Sequence, residues 1–296
     1  MRGSSTEYDS PDLDAIIEQA LREDIPDGRD VTTDSLFSES ETAEGVIQAK
    51  EAGILAGTEM ASRVFRLLDP NVQIQVLKKD GQSVSRGNAI MHIAGRLGAM
   101  LRAERTALNF LCRLSGIATL TARFVEAVRG YSATILCTRK TSPGLRMLEM
   151  EAVRKGGGEC YRTTLSQAVL VKDNHLAALG GLQGLERRLD EWKRSAPGVH
   201  QDILEHGKLE VTTIEELNEG IRMGFRNFLL DNFSVAKVRQ AAQAAPAGIF
   251  LEVSGGVSLQ NVRAYAETGV HAISIGALTH SASALDLSFE IIGRQP

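Results

Sequence analysis

The chain has no apolar run approaching the ~18 residues of a membrane span, so a membrane partner is not expected. It has no excess of positive charge either. Lysine and arginine number 33 against 37 acidic residues, for a formal net charge of −4. A global basic field for nucleic acid is therefore excluded, although a local basic pocket is not. Aromatic residues are only 5% of the chain, which leaves few flat platforms for stacking bases. The cysteines are few and unpatterned: Cys112, Cys137 and Cys160 are an odd number without a CxxC pair. That argues against a disulfide framework or a zinc site, and Cys137 and Cys160 read as small packing residues. Residues 1–14 lack an apolar signal core and read as a polar lead-in, so the protein is expected to be soluble and cytoplasmic. What is present is an ordinary globular composition, 43% apolar and 24% charged, over 296 residues. That length suits two ordinary domains, or one α/β barrel with an appendage. Glycine is abundant, at 28 residues, and its placement turns out to matter.

The texture changes near residue 115. Before it, Leu13, Ile16, Ile17, Ala20 and Leu21 give Asp12–Glu23 a helical period. Strand-like stretches follow at Gly45–Lys50, Gly53–Ala56 and Val72–Lys78, and turn residues from Lys79 lead into a second alternating stretch ending at Ile93, a hairpin pattern. Helical stretches at Ala99–Leu114 and Ile117–Val128 lead out of this small α+β region. From Ala133 onward, apolar strand candidates recur at Ala133–Cys137, Ala168–Lys172, Lys208–Val211, Asn227–Asp231, Gly248–Val253 and Ala272–Ile275. Helical patterns lie between most of them, at Leu145–Lys155, Leu182–Arg194, Ile214–Met223, Val235–Ala245 and Leu259–Thr268. Alternating β and α with buried strands implies parallel pairing. Because no GxGxxG follows a strand, an incomplete α/β barrel fits better than a dinucleotide-binding sheet.

In such barrels the site is built where strands end and the loops to the helices begin. Here those ends carry Thr138-Arg139-Lys140-Thr141, Lys172-Asp173-Asn174-His175, Glu210, Asp231-Asn232, Glu252-Val253-Ser254-Gly255-Gly256 and Ser274-Ile275-Gly276-Ala277. Any one polar loop is unremarkable, but paired basic residues, two carboxylates and two glycine-rich turns in one register call for a ligand. The Ser254-Gly255-Gly256 turn and Gly276 allow backbone N–H groups to approach a phosphate. Glu210 and Asp231 on neighbouring strands suit Mg²⁺, with substrate phosphates completing its shell. Arg139, Lys140, Arg162 and Lys172 suit anionic groups, the arginines in bidentate fashion. Together these point to transfer chemistry on a phosphorylated sugar with a carboxylated acceptor. Two other readings stay open on the residues alone: an aldolase using Lys140 or Lys172 as a Schiff-base nucleophile, and a binding protein without catalysis. His175 reads as a loop-orienting residue.

The ordered motifs resemble the quinolinate phosphoribosyltransferase family over roughly residues 12–290. They are Glu104-Arg105-Thr106-Ala107-Leu108-Asn109, Arg139-Lys140-Thr141-Ser142-Pro143-Gly144-Leu145-Arg146, Gly156-Gly157-Gly158, Leu170-Val171-Lys172-Asp173-Asn174-His175, Leu230-Asp231-Asn232-Phe233, Glu252-Val253-Ser254-Gly255-Gly256 and Ser274-Ile275-Gly276-Ala277-Leu278-Thr279-His280. The resemblance implies an α/β protein with an N-terminal α+β sandwich domain (1–115, joined by the C-terminal segment 285–296). The second domain, 116–284, would be an open, incomplete, seven-stranded TIM-like barrel carrying the site. It implies transfer of phosphoribose from phosphoribosyl pyrophosphate (PRPP) to quinolinate with Mg²⁺, giving nicotinate mononucleotide, pyrophosphate and CO₂ for NAD biosynthesis. It further implies a homodimer or higher even oligomer with a shared active site. Arg139, Tyr161, Arg162 and Lys172 then fall at the acceptor, with Arg105 supplied by the neighbouring subunit. Lys140, Glu210 and Asp231 fall at the catalytic and magnesium positions, and Ser254, Gly255, Gly256, Gly276 and His280 at the phosphates. The chain departs from the family pattern at Cys137, where Asp is usual, and at Tyr161, where His is usual. Those departures, with Cys160, leave room for a paralogue acting on another aromatic acid.

Overall fold

The computed structural model describes residues 10–295, so most of the polar lead-in, residues 1–9, lies outside it. In chain order the first elements are α1 (Ser10–Asp24), α2 (Val31–Leu36), β1 (Thr42–Ala49), β2 (Gly53–Ile54), α3 (Thr58–Leu68), β3 (Gln73–Val76), β4 (Ser83–Val84), β5 (Ala89–Arg96) and α4 (Leu97–Ala127). Next come β6 (Thr134–Leu136), α5 (Arg146–Lys155), β7 (Leu170–Val171), α6 (Asp173–Leu179), α7 (Leu182–Ser195), α8 (Pro197–His206) and β8 (Lys208–Val211). The chain continues through α9 (Ile214–Met223), β9 (Asn227–Asp231), α10 (Val235–Ala244), β10 (Phe250–Ser254), α11 (Val262–Ala266), β11 (Ala272–Ser274), α12 (Ala277–His280) and β12 (Leu287–Gln295). No helix among the described residues is long and apolar enough to cross a membrane.

Two compact units result. Among the described residues, the first comprises those up to Ala122, Thr141–Gly157 and those from Leu278 onward. Its four-stranded sheet has the order β12-β1-β5-β3, so the end of the chain pairs antiparallel with β1. In β1, every second residue from Ala43 to Ala49 turns inward, the period-2 burial of a half-covered strand. Helix α3 buries Met60, Ala61, Val64 and Phe65, and the Phe65 ring lies 5.8 Å from that of Phe289 on β12. The two helical stretches expected around residue 115 are one continuous helix, α4.

Within α4, Gly116 is required by a close approach, since a Cβ there would lie 2.0 Å from the Ser283 carbonyl oxygen. Gly116→Ala gains ~1 kcal/mol of helix propensity. The obstacle, however, is backbone rather than the end of a flexible side chain. We expect a net loss of about 1–3 kcal/mol, measured as a lower urea midpoint with unchanged slope.

The same unit holds a buried acid. Glu149 on α5 is fully buried and receives Nε and Nη2 of Arg113 at 3.2 and 2.9 Å. It also accepts the Ser142 N–H at 3.1 Å and the Ser142 hydroxyl at 2.8 Å, so the residues just after Lys140 are tied down.

The second unit comprises Arg123–Lys140 and Gly158–Ala277. Its six-stranded parallel sheet runs β6-β11-β10-β9-β8-β7. Strands β7 to β11 pair in sequence, whereas β6, the first of them, pairs with β11, the last. In a barrel the first and last strands adjoin, and here they do while β6 and β7 stay unpaired, which is the strand order of an open α/β barrel. All six strand candidates from the sequence are present. The place of a seventh strand is taken by a single parallel bridge from Leu136 to Glu159. Helices α6 and α8 were not anticipated. α6 begins where the His175 ring nitrogen Nδ1 accepts the Lys172 N–H at 2.9 Å, and α8 begins with Pro197. The helix expected over Leu259–Thr268 is shorter, because Asn261 accepts the Ser258 N–H and donates to the Gly256 carbonyl, holding a turn before α11.

Candidate active site

The barrel interior is set by alternation. Lys208 and Glu210 share one face of β8, and all four residues of that strand are buried. Glu210 is joined by the Lys172 ammonium at 2.8 Å, the side chains being 8% and 45% exposed. Asp231 at the end of β9 has its carboxyl pushed up, first by burial and then by the charge of Glu210, with Lys172 and Lys140 pulling it back. Two carboxylates and two lysines thus converge electrostatically. Lys172, expected at the acceptor, and Glu210, expected at the metal, are ion-paired with each other.

Asp231 is aimed by its neighbours. Asn232 donates Nδ2 to its carboxylate at 2.8 Å and its backbone N–H to the Ser254 carbonyl at 2.8 Å. Asn232 adopts a left-handed φ of 55°, the sole such non-glycine residue among those described. Beside it Gly255 has φ 90°, and a Cβ there would lie 2.1 Å from Asn232 Oδ1. The Ser254-Gly255-Gly256 turn therefore locks onto the Asp231 loop through contacts that only glycine permits.

Another part of the same strand-end rim is built by β6 and the bridge. The Cys137 N–H donates to the Glu159 carbonyl at 2.8 Å, and Glu159 donates to the Ile135 carbonyl at 2.9 Å. That register brings Cys137 and Cys160 side by side, and they form a disulfide with Cα atoms 5.1 Å apart. This corrects the expectation of unpaired cysteines. The 23 residues between them hide a partnership that exists only because the bridge lays Glu159 beside β6. Cys112 is free, and burial pushes its thiol up.

Two residues beyond each cysteine stand Arg139 and Arg162. Each has a buried Nε with no hydrogen-bond partner among the described residues. Burial and the charge of Arg139 hold the Arg162 guanidinium below its ordinary value. Two guanidiniums that feel each other's charge, with donors buried and unused, are arranged for a planar anion rather than for a protein carboxylate. Between Cys160 and Arg162, Tyr161 is 47% exposed, and its ring centroid lies 4.6 Å from the Lys208 ammonium.

Of the remaining predicted residues, Lys140 is exposed at the end of the β6 loop, where its backbone N–H meets the Thr138 hydroxyl at 3.2 Å, and Gly276 follows β11. Arg105 and His280 belong to the first unit, where both are exposed and His280 Nδ1 lies 2.5 Å from the Ser281 hydroxyl. Sequence reasoning missed Lys208 as a site residue and passed over Glu252 and Ser274 as partners. The signal was available, since charged residues at alternate positions of otherwise apolar strands point into a barrel. No group of three or more His, Cys, Asp or Glu side chains among the described residues is placed to hold a metal by itself.

An open α/β barrel with an anion-binding rim at its strand ends defines the class: a barrel enzyme for a small anionic substrate. The pattern described as "Quinolinate phosphoribosyl transferase, C-terminal domain" matches residues 117–290, and its N-terminal domain counterpart matches 30–115. A Bacillus subtilis protein named "Probable nicotinate-nucleotide pyrophosphorylase [carboxylating]" is 40% identical over 279 residues, 94% of this chain and 93% of that protein. A Mycobacterium leprae nicotinate-nucleotide pyrophosphorylase [carboxylating] is 38% identical, covering 93% of this chain and 95% of its own. The solved structure of the Francisella tularensis nicotinate-nucleotide pyrophosphorylase superposes with a TM-score of 0.87 at 33% identity, covering 98% of this chain and 100% of that one. The chain belongs to the quinolinate phosphoribosyl transferase family.

Proposed function

We propose that this chain transfers phosphoribose from PRPP to quinolinate, releasing pyrophosphate and CO₂ and forming nicotinate mononucleotide for de novo NAD biosynthesis. The observation that carries the reading is the Arg139–Arg162 pair with its unpartnered buried Nε atoms, set on the barrel of this family. The two guanidiniums and Lys172 bind the two acceptor carboxylates, and Tyr161 donates a hydrogen bond to one of them. This holds the ring nitrogen against C1 of the ribose. As the nitrogen–C1 bond forms, the C1–oxygen bond breaks and its electron pair leaves with pyrophosphate. Glu210 and Asp231 offset the positive charge that develops on the sugar. When the adjacent carboxylate leaves as CO₂, its bonding pair stays on the ring carbon, where the neighbouring cationic nitrogen stabilises the negative charge, and a proton then bonds to that carbon through the same pair.

Lys140, the Ser254-Gly255-Gly256 turn, Gly276 and His280 hold the phosphates in this reading. A divalent cation fits Glu210 and Asp231, because Mg²⁺ is commonly bound by one or two carboxylates plus substrate phosphates rather than by a full protein cage. When bound it neutralises charge on the pyrophosphate. The reading includes Arg105 reaching the acceptor of a neighbouring copy in a homodimer or higher even oligomer.

The test is pyrophosphate release from PRPP with quinolinate, nicotinate and other aromatic acids. Quinolinate is expected to be the preferred acceptor, with CO₂ released in equal amount and activity abolished by EDTA and restored by Mg²⁺. Pyrophosphate from another acid but none from quinolinate overturns the reading.

A further inference from the structure

The barrel interior holds a buried ion pair that the transfer chemistry does not use. Lys208 opens β8 and Glu252 sits in β10, with side chains only 8% and 7% exposed. Lys208 Nζ donates to Glu252 Oε2. The other carboxylate oxygen accepts the Ser274 hydroxyl at 2.5 Å, so both oxygens of Glu252 are engaged. The Lys208 ammonium also meets two ring faces, that of Phe250 at 5.6 Å and that of Tyr161 at 4.6 Å. A buried ion pair is weakly justified by stability, since apolar residues of similar volume often serve as well or better. What distinguishes this one is where the cation points. Phe250 is the first residue of β10, whereas Tyr161 stands on the acceptor rim directly before Arg162.

We propose that Lys208 is a positioning residue for acceptor binding. Fixed by Glu252 and Ser274, its ammonium holds the face of the Tyr161 ring by a cation–π contact, and so sets where the phenol and the adjoining Arg162 stand at the rim. Tyr161 lies in a segment whose ladder contact is a single bridge at Glu159, so a side-chain anchor has more to do here than on a full strand. The inference rests on the reading that Tyr161 and Arg162 bind the acceptor.

Lys208→Met alone strands the Glu252 charge and risks the fold, so the informative variant is Lys208→Met with Glu252→Gln, which keeps the pair neutral and lets Ser274 still donate. A partly desolvated cation–π contact supports an expected rise of about five- to twentyfold in the quinolinate KM, with kcat and the PRPP KM within about twofold. In a Tyr161→Leu background the same double change is expected to move the quinolinate KM less than about twofold, because the effect acts through the ring. In a Tyr161→Phe background, which keeps the ring, the full rise should persist. An unchanged quinolinate KM, an equal rise in the PRPP KM, or a full effect in Tyr161→Leu overturns the inference. Absence of any quinolinate turnover by the unaltered protein overturns the functional reading as well, and so marks that failure apart.

Discussion

Replacing Arg162 by methionine is expected to lower kcat/KM for quinolinate by about 30- to 5,000-fold without lowering the thermal midpoint of the protein. The activity side follows from truncating one partner of a desolvated charge pair, which costs about 2–5 kcal/mol, with each 1.36 kcal/mol a factor of ten. The stability side follows from the sign of the electrostatics. Burial and Arg139 hold the Arg162 guanidinium below its ordinary value, so the folded state disfavours its charge relative to the unfolded chain. That cost is present at every pH below the folded value, including neutrality, and a neutral side chain removes it. A residue kept for folding would behave the opposite way. Arg162→Lys should fall between the two, since it restores charge but not the planar fork. The measurements are steady-state kinetics with quinolinate varied and a thermal melt of the ligand-free protein. A variant that melts several degrees lower, or that keeps its quinolinate KM and kcat, sinks the assignment.

The same contrast explains what could be read from the chain. The strands β8 and β9 were legible to the residue, because each is a short stretch with apolar residues followed by a capped helix: Thr213 accepts the Glu216 N–H at the start of α9, and Ser234 does the same for Lys237 at α10. The strand ends were legible because charge and glycine at those positions conflict with burial. What lay beyond reach depends on register between segments distant in sequence. The bridge at Glu159 involves one residue pair and leaves no alternation to detect. The Cys137–Cys160 contact and the Arg139–Arg162 proximity both descend from that bridge. The Lys172–Glu210 ion pair is of the same kind, since Val171 pairs with Leu209 in parallel and Lys172 and Glu210 are the next residues along the chain. Local propensity carries no information about which of two basic residues will meet a given acid.

The disulfide gives the largest expected effect on stability. Cys137 and Cys160 enclose a loop with a sequence separation of 23, and closing such a loop in the unfolded chain is worth about 3 kcal/mol by the chain-entropy account. Reduction with a dithiol, which leaves two thiols and oxidises the dithiol to its own disulfide, is expected to remove that stabilisation. Thermal unfolding should then begin several degrees lower, by about 2–4 °C per kcal/mol. Cys137→Ser should melt like the reduced protein and lose all response to the dithiol, while Cys112→Ser should keep the full response, because Cys112 is outside the bond. Thiol titration of the denatured chain adds an independent count: one free thiol before reduction and three after, from the three cysteines present. The bond also ties the end of β6 to the segment bearing Tyr161 and Arg162, so it fixes the spacing of the two guanidiniums. Reduction should therefore raise the quinolinate KM more than the PRPP KM. Three titratable thiols in the untreated protein, or identical melts with and without dithiol, would show that the cysteines do not clamp the rim.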